Sequence, residues 1–285
     1  MQASFIGEGG NSAITFAEED CVHEFGGHLV AFTVASPGVL AALKAVLYSC
    51  SRDVPAASAP TRVRALSGRD GWQLEVDGSI VRGLALRTPL PLVAEEMIAT
   101  ACLAVASKTS GFLLNGVLLE KDGAAIALVG DDLDSTKVLG LHLHGRGWAA
   151  VAFAYGFVSE TSLEVVGQPA LVSVSSTAID QIPPRYRPAI EASLWYDAGF
   201  DLTFYTVDPL SIHRRSISSA VLTHVVVVDG ELEDSPSLST DLEAAEIGPL
   251  GSHVMIGSVR IARLTLGTPI ASCGAVERWV WGFPV

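Results

Sequence analysis

The chain has 285 residues, 49% hydrophobic and 17% charged, with 31 acids against 18 bases and a formal net charge of -13. That length supplies a buried core for one large domain or two modest ones. The acidic balance, with only four lysines (Lys44, Lys108, Lys121 and Lys137), excludes a protein that grips a phosphate backbone.

A mean hydropathy of +0.41 raises the question of a membrane span. The apolar stretch 29–47 is broken by Pro37-Gly38 and Lys44, and 97–106 is too short for about 30 Å of hydrocarbon. Glu8, Glu18, Glu19 and Asp20 leave no room for a secretory leader pattern. The expectation is a cytoplasmic protein without a membrane span. Cys21, Cys50, Cys102 and Cys273 are scattered, form no CxxC pair, and read as buried free thiols in a reducing compartment. No zinc spacing appears among them.

In chain order, residues 1–88 read as an N-terminal α+β region. A strand is predicted over 29–34 and a short helix over 39–47, with Pro37 in its first turn. Strands 62–66 and 72–76 form a hairpin around the polar turn Ser67-Gly68-Arg69-Asp70-Gly71, and 54–60 forms a loop. Residues 89–285 read as the second domain. A helix is predicted over 92–107, with Glu95 and Glu96 in its first turns, where the dipole favours acids. Two strand-like runs, 112–119 and 124–129, meet at Glu120-Lys121-Asp122-Gly123, whose Asp-Gly signals a hairpin. The second run ends at Gly130, passes through Asp131-Asp132-Leu133-Asp134, and enters an amphipathic helix over 135–144. Further strands are predicted over 148–153, 163–166, 171–174, 202–207 and 221–228. Gln181-Ile182-Pro183-Pro184 breaks the chain, and the last part, from 241–247 onward, reads as helical and then irregular, closing with Trp279, Trp281 and Phe283. The fold class is α/β with a mixed, strongly bent sheet.

From residue 90 to about 250 this order resembles the HPr-kinase-like proteins, whose fold is shared with phosphoenolpyruvate carboxykinases, and in particular their peptide-modifying branch. The residues that carry the resemblance are Phe112-Leu113-Leu114-Asn115-Gly116-Val117, the acidic-Gly hairpin 120–123, Ala127-Leu128-Val129-Gly130, Gly145-Arg146-Gly147-Trp148 and Glu164-Val165-Val166-Gly167-Gln168-Pro169. The resemblance implies a bent P-loop-type sheet and a nucleotide loop at Gly130. The functional positions depart from the family pattern. Ser135 stands at the second glycine of the loop, Thr136 at the lysine, and Lys137 at the magnesium-binding hydroxyl. Asp131, Asp132 and Asp134 line the place of the triphosphate. Two like unit charges about 4 Å apart repel by about 4 kcal/mol at an effective dielectric of about 20, so one displaced lysine does not offset three acids. The family's Asp-Asp pair falls on Phe153 and Ala154, and its strand histidine on Asn115.

The expected function is therefore that of a catalytically degenerate kinase-like protein. It would bind a peptide or partner enzyme in a peptide-modification pathway, as part of a homo- or hetero-oligomer, with no cofactor and no metal. An alternative is a repurposed, ATP-independent peptide-modifying enzyme using Asp131, Asp132, Lys137 or Tyr155 in acid/base chemistry such as elimination or epimerisation. A second alternative is an atypical ATP-dependent peptide kinase. Candidate substrate-binding residues are Asn115, Ser135, Thr136 and the basic triplet His213, Arg214 and Arg215. The acids at 131–134 suit a cation site or, more simply, a helix cap made by Asp134 or Ser135. His142 and His144 sit two residues apart on different helix faces and cannot share a metal; His144 reads as a group that satisfies the helix dipole. His23-Glu24-Phe25-Gly26-Gly27-His28 has two glycines where a zinc-binding helix would need helix formers.

Overall fold

The computed structural model describes residues 19–25, 28–47, 61–108, 111–167, 171–191, 195–199, 202–212, 214–240 and 259–282. The predicted loop 54–60, the segment 241–247, Cys50, His213 and Phe283 lie outside them. The described elements make a mixed α/β fold with a bent mixed sheet, as the sequence pattern implies.

The N-terminal sheet contains β1 (Glu19–Phe25), β2 (His28–Val34), β3 (Thr61–Ser67), β4 (Trp72–Val76) and β5 (Ser79–Leu84) in sequential order. Between β2 and β3, which are parallel, runs α1 (Pro37–Val46). Ser36 caps α1 by accepting the Val39 N–H, and Pro37 fills the first helical position, where no amide partner is needed. Next comes α2 (Leu90–Lys108). Its buried residues, Val93, Ala94, Met97, Ala101 and Val105 among them, complete one core with Phe32, Leu43 and Leu74 of the N-terminal elements. At 19 residues and a mean hydropathy of 1.5, α2 is longer than the stretch 97–106 marked in the sequence, and by length and composition it would cross a membrane. One part of its apolar side chains packs into this core, while Leu90 and Leu103 are exposed. Glu95 and Glu96 lie beyond the first turn, because α2 starts two residues earlier than its pattern suggests.

The predicted run 112–119 is two strands, β6 (Gly111–Asn115) and β7 (Val117–Lys121), separated at Gly116. β7 forms the expected hairpin with β8 (Ala124–Val129). Asp122 and Gly123 both have positive φ, 50° and 84°, the pair that a tight hairpin turn demands. After β8 come α3 (Leu133–Gly145), β9 (Ala149–Ala152), β10 (Tyr155–Ser159), β11 (Glu164–Gly167) and β12 (Val172–Ser175). The Pro183-Pro184 break carries two short 3-10 turns. Then follow α4 (Arg187–Glu191), β13 (Trp195–Gly199), β14 (Leu202–Val207), α5 (Pro209–Ile212), β15 (Ser219–Leu232), β16 (Ser237–Ser239), β17 (Arg260–Leu266) and α6 (Pro269–Val280).

The 14-residue β15 makes the bend. Its first residues pair antiparallel with β11, and its later ones run parallel between β8 and β17. The large sheet is ordered β6-β10-β11-β15-β8-β7-β9, with β17 and β16 attached beside β15, and β12, β14 and β13 form a separate small sheet. Among the described residues of the C-terminal part, 259–282, β17 and α6 are regular elements, and α6 is capped by Thr268 with Pro269 in its first turn. Trp279 is buried in the main core beside α3, whereas Trp281 stacks on Trp148 at 6.1 Å and stays 38% exposed. Cys21 is disulfide-bonded, which corrects the expectation of free thiols throughout and removes the cysteine-based case for a reducing compartment. Cys102 and Cys273 are buried free thiols, and burial pushes both up to about 12.

Candidate functional site

The five buried residues Ala124–Leu128 carry β8 into the centre of the large sheet. Gly130 ends it because there is no space for a side chain: a Cβ there would lie 2.3 Å from the Val228 carbonyl oxygen on β15. The chain then turns into α3, with Asp132 as its cap. The Asp132 Oδ1 accepts the N–H of Asp134 at 3.1 Å and of Ser135 at 3.3 Å, and the Ser135 hydroxyl donates to Oδ2 at 2.5 Å. The cap is thus neither Asp134 nor Ser135, and the helix begins at Leu133, two residues before its expected start. Asp134 instead accepts the Ser175 N–H, with both oxygens at 3.3 Å. Thr136 is fully buried, its hydroxyl donating to the Asp132 carbonyl at 2.9 Å. Asp131 is exposed. Among the described residues no group of three His, Cys, Asp or Glu side chains is placed to hold a metal ion.

One turn into α3, Lys137 leaves the loop and enters the wall of a cavity of about 380 Å³. Its Nζ donates to the Ser173 carbonyl at 2.8 Å. Burial lowers its pKa against the opposing pull of Glu95 and Asp134. The Ser173 hydroxyl donates to the Glu95 carboxylate, so one serine on β12 ties α3 to α2. Tyr155, on β10, lines the same cavity. Burial, then Glu95 and Glu96, pushes its phenol up to about 12. Asn115 is its cross-strand partner on β6 and lies exposed at the rim. The rest of the wall is mostly apolar. Phe25 and Leu47 come from the N-terminal elements, Ile98 and Cys102 from α2, and Phe157 and Val166 from the large sheet. Of the two residues that the sequence resemblance sets at an acid pair, Ala154 lines the cavity, while Phe153 is fully buried in the main core.

The structure therefore brings together Asn115, Lys137 and Tyr155, with Asp131, Asp132, Ser135 and Thr136 at the adjoining loop. Arg214 and Arg215 do not line the cavity. Arg215 lies by the far end of α3, where its Nη1 donates to the Gly147 carbonyl at 3.0 Å. His144, in the last turn of α3, is fully buried. Its Nε2–H donates to the Arg215 carbonyl at 3.2 Å, leaving Nδ1 to accept the Tyr186 hydroxyl at 2.8 Å. His142 meets the Gln181 carbonyl at 2.8 Å. Glu95 and Ser173 are the functional candidates that sequence reasoning missed. For Glu95 a signal existed: an acid flanked by Val93, Ala94, Met97 and Ile98 on a helix face that the pattern itself marks as buried. Ser173 offered none.

Chemically, the amides that open α3 are occupied by the chain's own Asp132 carboxylate. Lys137 points away from them, to the Ser173 carbonyl. No family model matches the chain, and no curated protein matches it. Among solved structures, the HPr(Ser) kinase/phosphatase from Coxiella burnetii aligns over 60% of this chain and 99% of that one, at 11% identity and a TM-score of 0.33. A likeness at that level leaves function to be argued from the site itself.

Proposed function

We propose that this chain is a non-catalytic binding protein on a kinase-like shell. It holds an apolar segment of a peptide or partner protein in the cavity bounded by α2, α3 and β10, and a peptide-modification pathway is the setting that fits its sequence resemblance. The observation that supports this reading is the Asp132 cap. Its carboxylate accepts the two amides that would otherwise meet phosphate, next to Asp134 and exposed Asp131. A triphosphate would have to displace an internal anion and then face two more, without a cation in the loop to offset them. The cavity beside it has the size and mixed lining of a ligand site, an apolar wall with a few converging polar groups.

Calorimetry with ATP and magnesium at millimolar concentration tests the negative half: no saturable heat is expected. Saturable binding that disappears in Lys137→Met would instead favour the atypical kinase. The positive half is tested by filling the cavity with Cys102→Trp and asking whether a bound peptide or partner is lost.

A further inference from the structure

The cavity has an apolar body and one polar end, and the chemistry of that end selects what it can hold. We propose that its ligand is a large apolar residue in the interior of a peptide, with an aromatic or branched side chain flanked by uncharged amides, a ligand class that rests on the cavity being the binding site. Lys137 and Glu95 stand on either side of Ser173, the first donating to its carbonyl and the second accepting from its hydroxyl. Their opposite charges offset one another at that end, and Glu24, a further carboxylate of the lining, is solvent-exposed. Asp134, the other carboxylate acting on Lys137, is held by the Ser175 N–H at the positive end of α3.

A ligand with a net charge would bring a further charge beside this half-buried pair, which is costly. An amide brings none. Its carbonyl can accept from Lys137 or the Tyr155 hydroxyl, and its N–H can donate to Glu95, so each polar group of the wall meets a complementary one. The apolar wall, with Phe25, Ile98, Phe157 and Val166, takes the side chain. A chain terminus or a free amino acid presents the same side chain with a charged head and is disfavoured.

Three probes with one side chain separate these heads: N-acetyl-phenylalaninamide, N-acetyl-phenylalanine, and phenylalaninamide at a pH where its amine is protonated. Their affinities are measured by saturation-transfer NMR and calorimetry. The neutral probe is expected to bind about tenfold or more tighter than either charged one. Glu95→Gln removes one of the two carboxylates that act on Lys137, so the carboxylate probe becomes the best ligand. Lys137→Met removes the lysine and keeps the acids, so the ammonium probe does. Equal affinities in the wild-type protein, a preference for a charged probe, or variants that keep the original order overturn the amide assignment while leaving the cavity as the binding site. Binding that survives both Cys102→Trp and Val166→Trp, each checked for an unchanged melting transition, overturns the cavity itself, as does the failure of all three probes to bind.

Discussion

The two ends of α3 hold acids and bases within a turn of each other and use them in opposite ways. At the C-terminal end every charge closes on the protein. The Arg185 Nη1 donates to the Gly145 carbonyl at 2.6 Å, and Arg215 to Gly147 at 3.0 Å. Arg146 places two N–H groups on one Glu277 oxygen at 2.8 and 2.5 Å, and Trp148 and Lys121 reach the other at 3.2 and 3.5 Å. Cations belong at a helix C-terminus, and here they are saturated by carbonyls and one carboxylate. At the N-terminal end a carboxylate caps the helix, and the nearby lysine turns inward to a cavity. The first end is a clamp between α3 and α6; the second faces a cavity. What separates them is whether the chain itself satisfies the donors, which charge density along the sequence does not reveal.

The clamp is the place where a single change costs most. Glu277→Ala leaves Arg146, Trp148 and Lys121 without their shared acceptor, and a loss of about 2 kcal/mol is expected in urea unfolding, below the range for a fully buried pair because Arg146 is partly exposed. Burial works against the charged form of Glu277, but the hydrogen bonds from Arg146 and Trp148 win and hold its carboxyl below the ordinary 4.5. A depressed carboxylate stabilises the fold above its unfolded value and loses that contribution as pH falls through the folded one. The stability gap between wild type and Glu277→Gln should therefore be constant above pH 4.5 and close below it. A gap that widens in acid would contradict the clamp.

At the other end, Asp132→Ala removes a helix cap, and about 1 kcal/mol is expected. Its more pointed result is functional: freeing the Asp134 and Ser135 amides should still give no ATP binding, since Lys137 remains on the Ser173 carbonyl. ATP affinity gained by this one change would mean that the cap alone had closed a working nucleotide site. The smallest effect is expected at the basic triplet. Arg214→Ala with Arg215→Ala removes one exposed contact to Gly147, so stability should change by no more than about 0.5 kcal/mol and cavity binding should stay unchanged. A fall in cavity binding would return these arginines to the ligand site.

Much of the frame was legible because period and turn chemistry speak locally. The β7–β8 hairpin was carried by Asp122-Gly123, the β3–β4 hairpin by its polar turn, and the strand-loop-helix at Gly130 by the change from a continuous apolar run to an amphipathic one. Misses came where neighbours decide. The run 112–119 reads as one strand because Gly116 breaks it only through its approach to the Leu128 carbonyl, against which a Cβ would lie at 2.2 Å. α6 was missed because the closing segment reads as irregular until Trp279 is seen in the main core beside α3. At the site, Asn115, Lys137 and Tyr155 could be named from the sequence, but their meeting with Glu95 and Ser173 joins residues up to 78 positions apart through α2, β12 and α3. No local pattern encodes such a meeting.

We propose that the loop at Gly130 holds no nucleotide and that the cavity beside it holds an apolar peptide segment, and one tube tests both. Saturation-transfer NMR on the wild-type protein, with ATP-magnesium and N-acetyl-phenylalaninamide present together at millimolar concentration, should show transfer to the amide and none to the adenine protons. Transfer to adenine without transfer to the amide would contradict the account and return the loop at Gly130 to nucleotide chemistry.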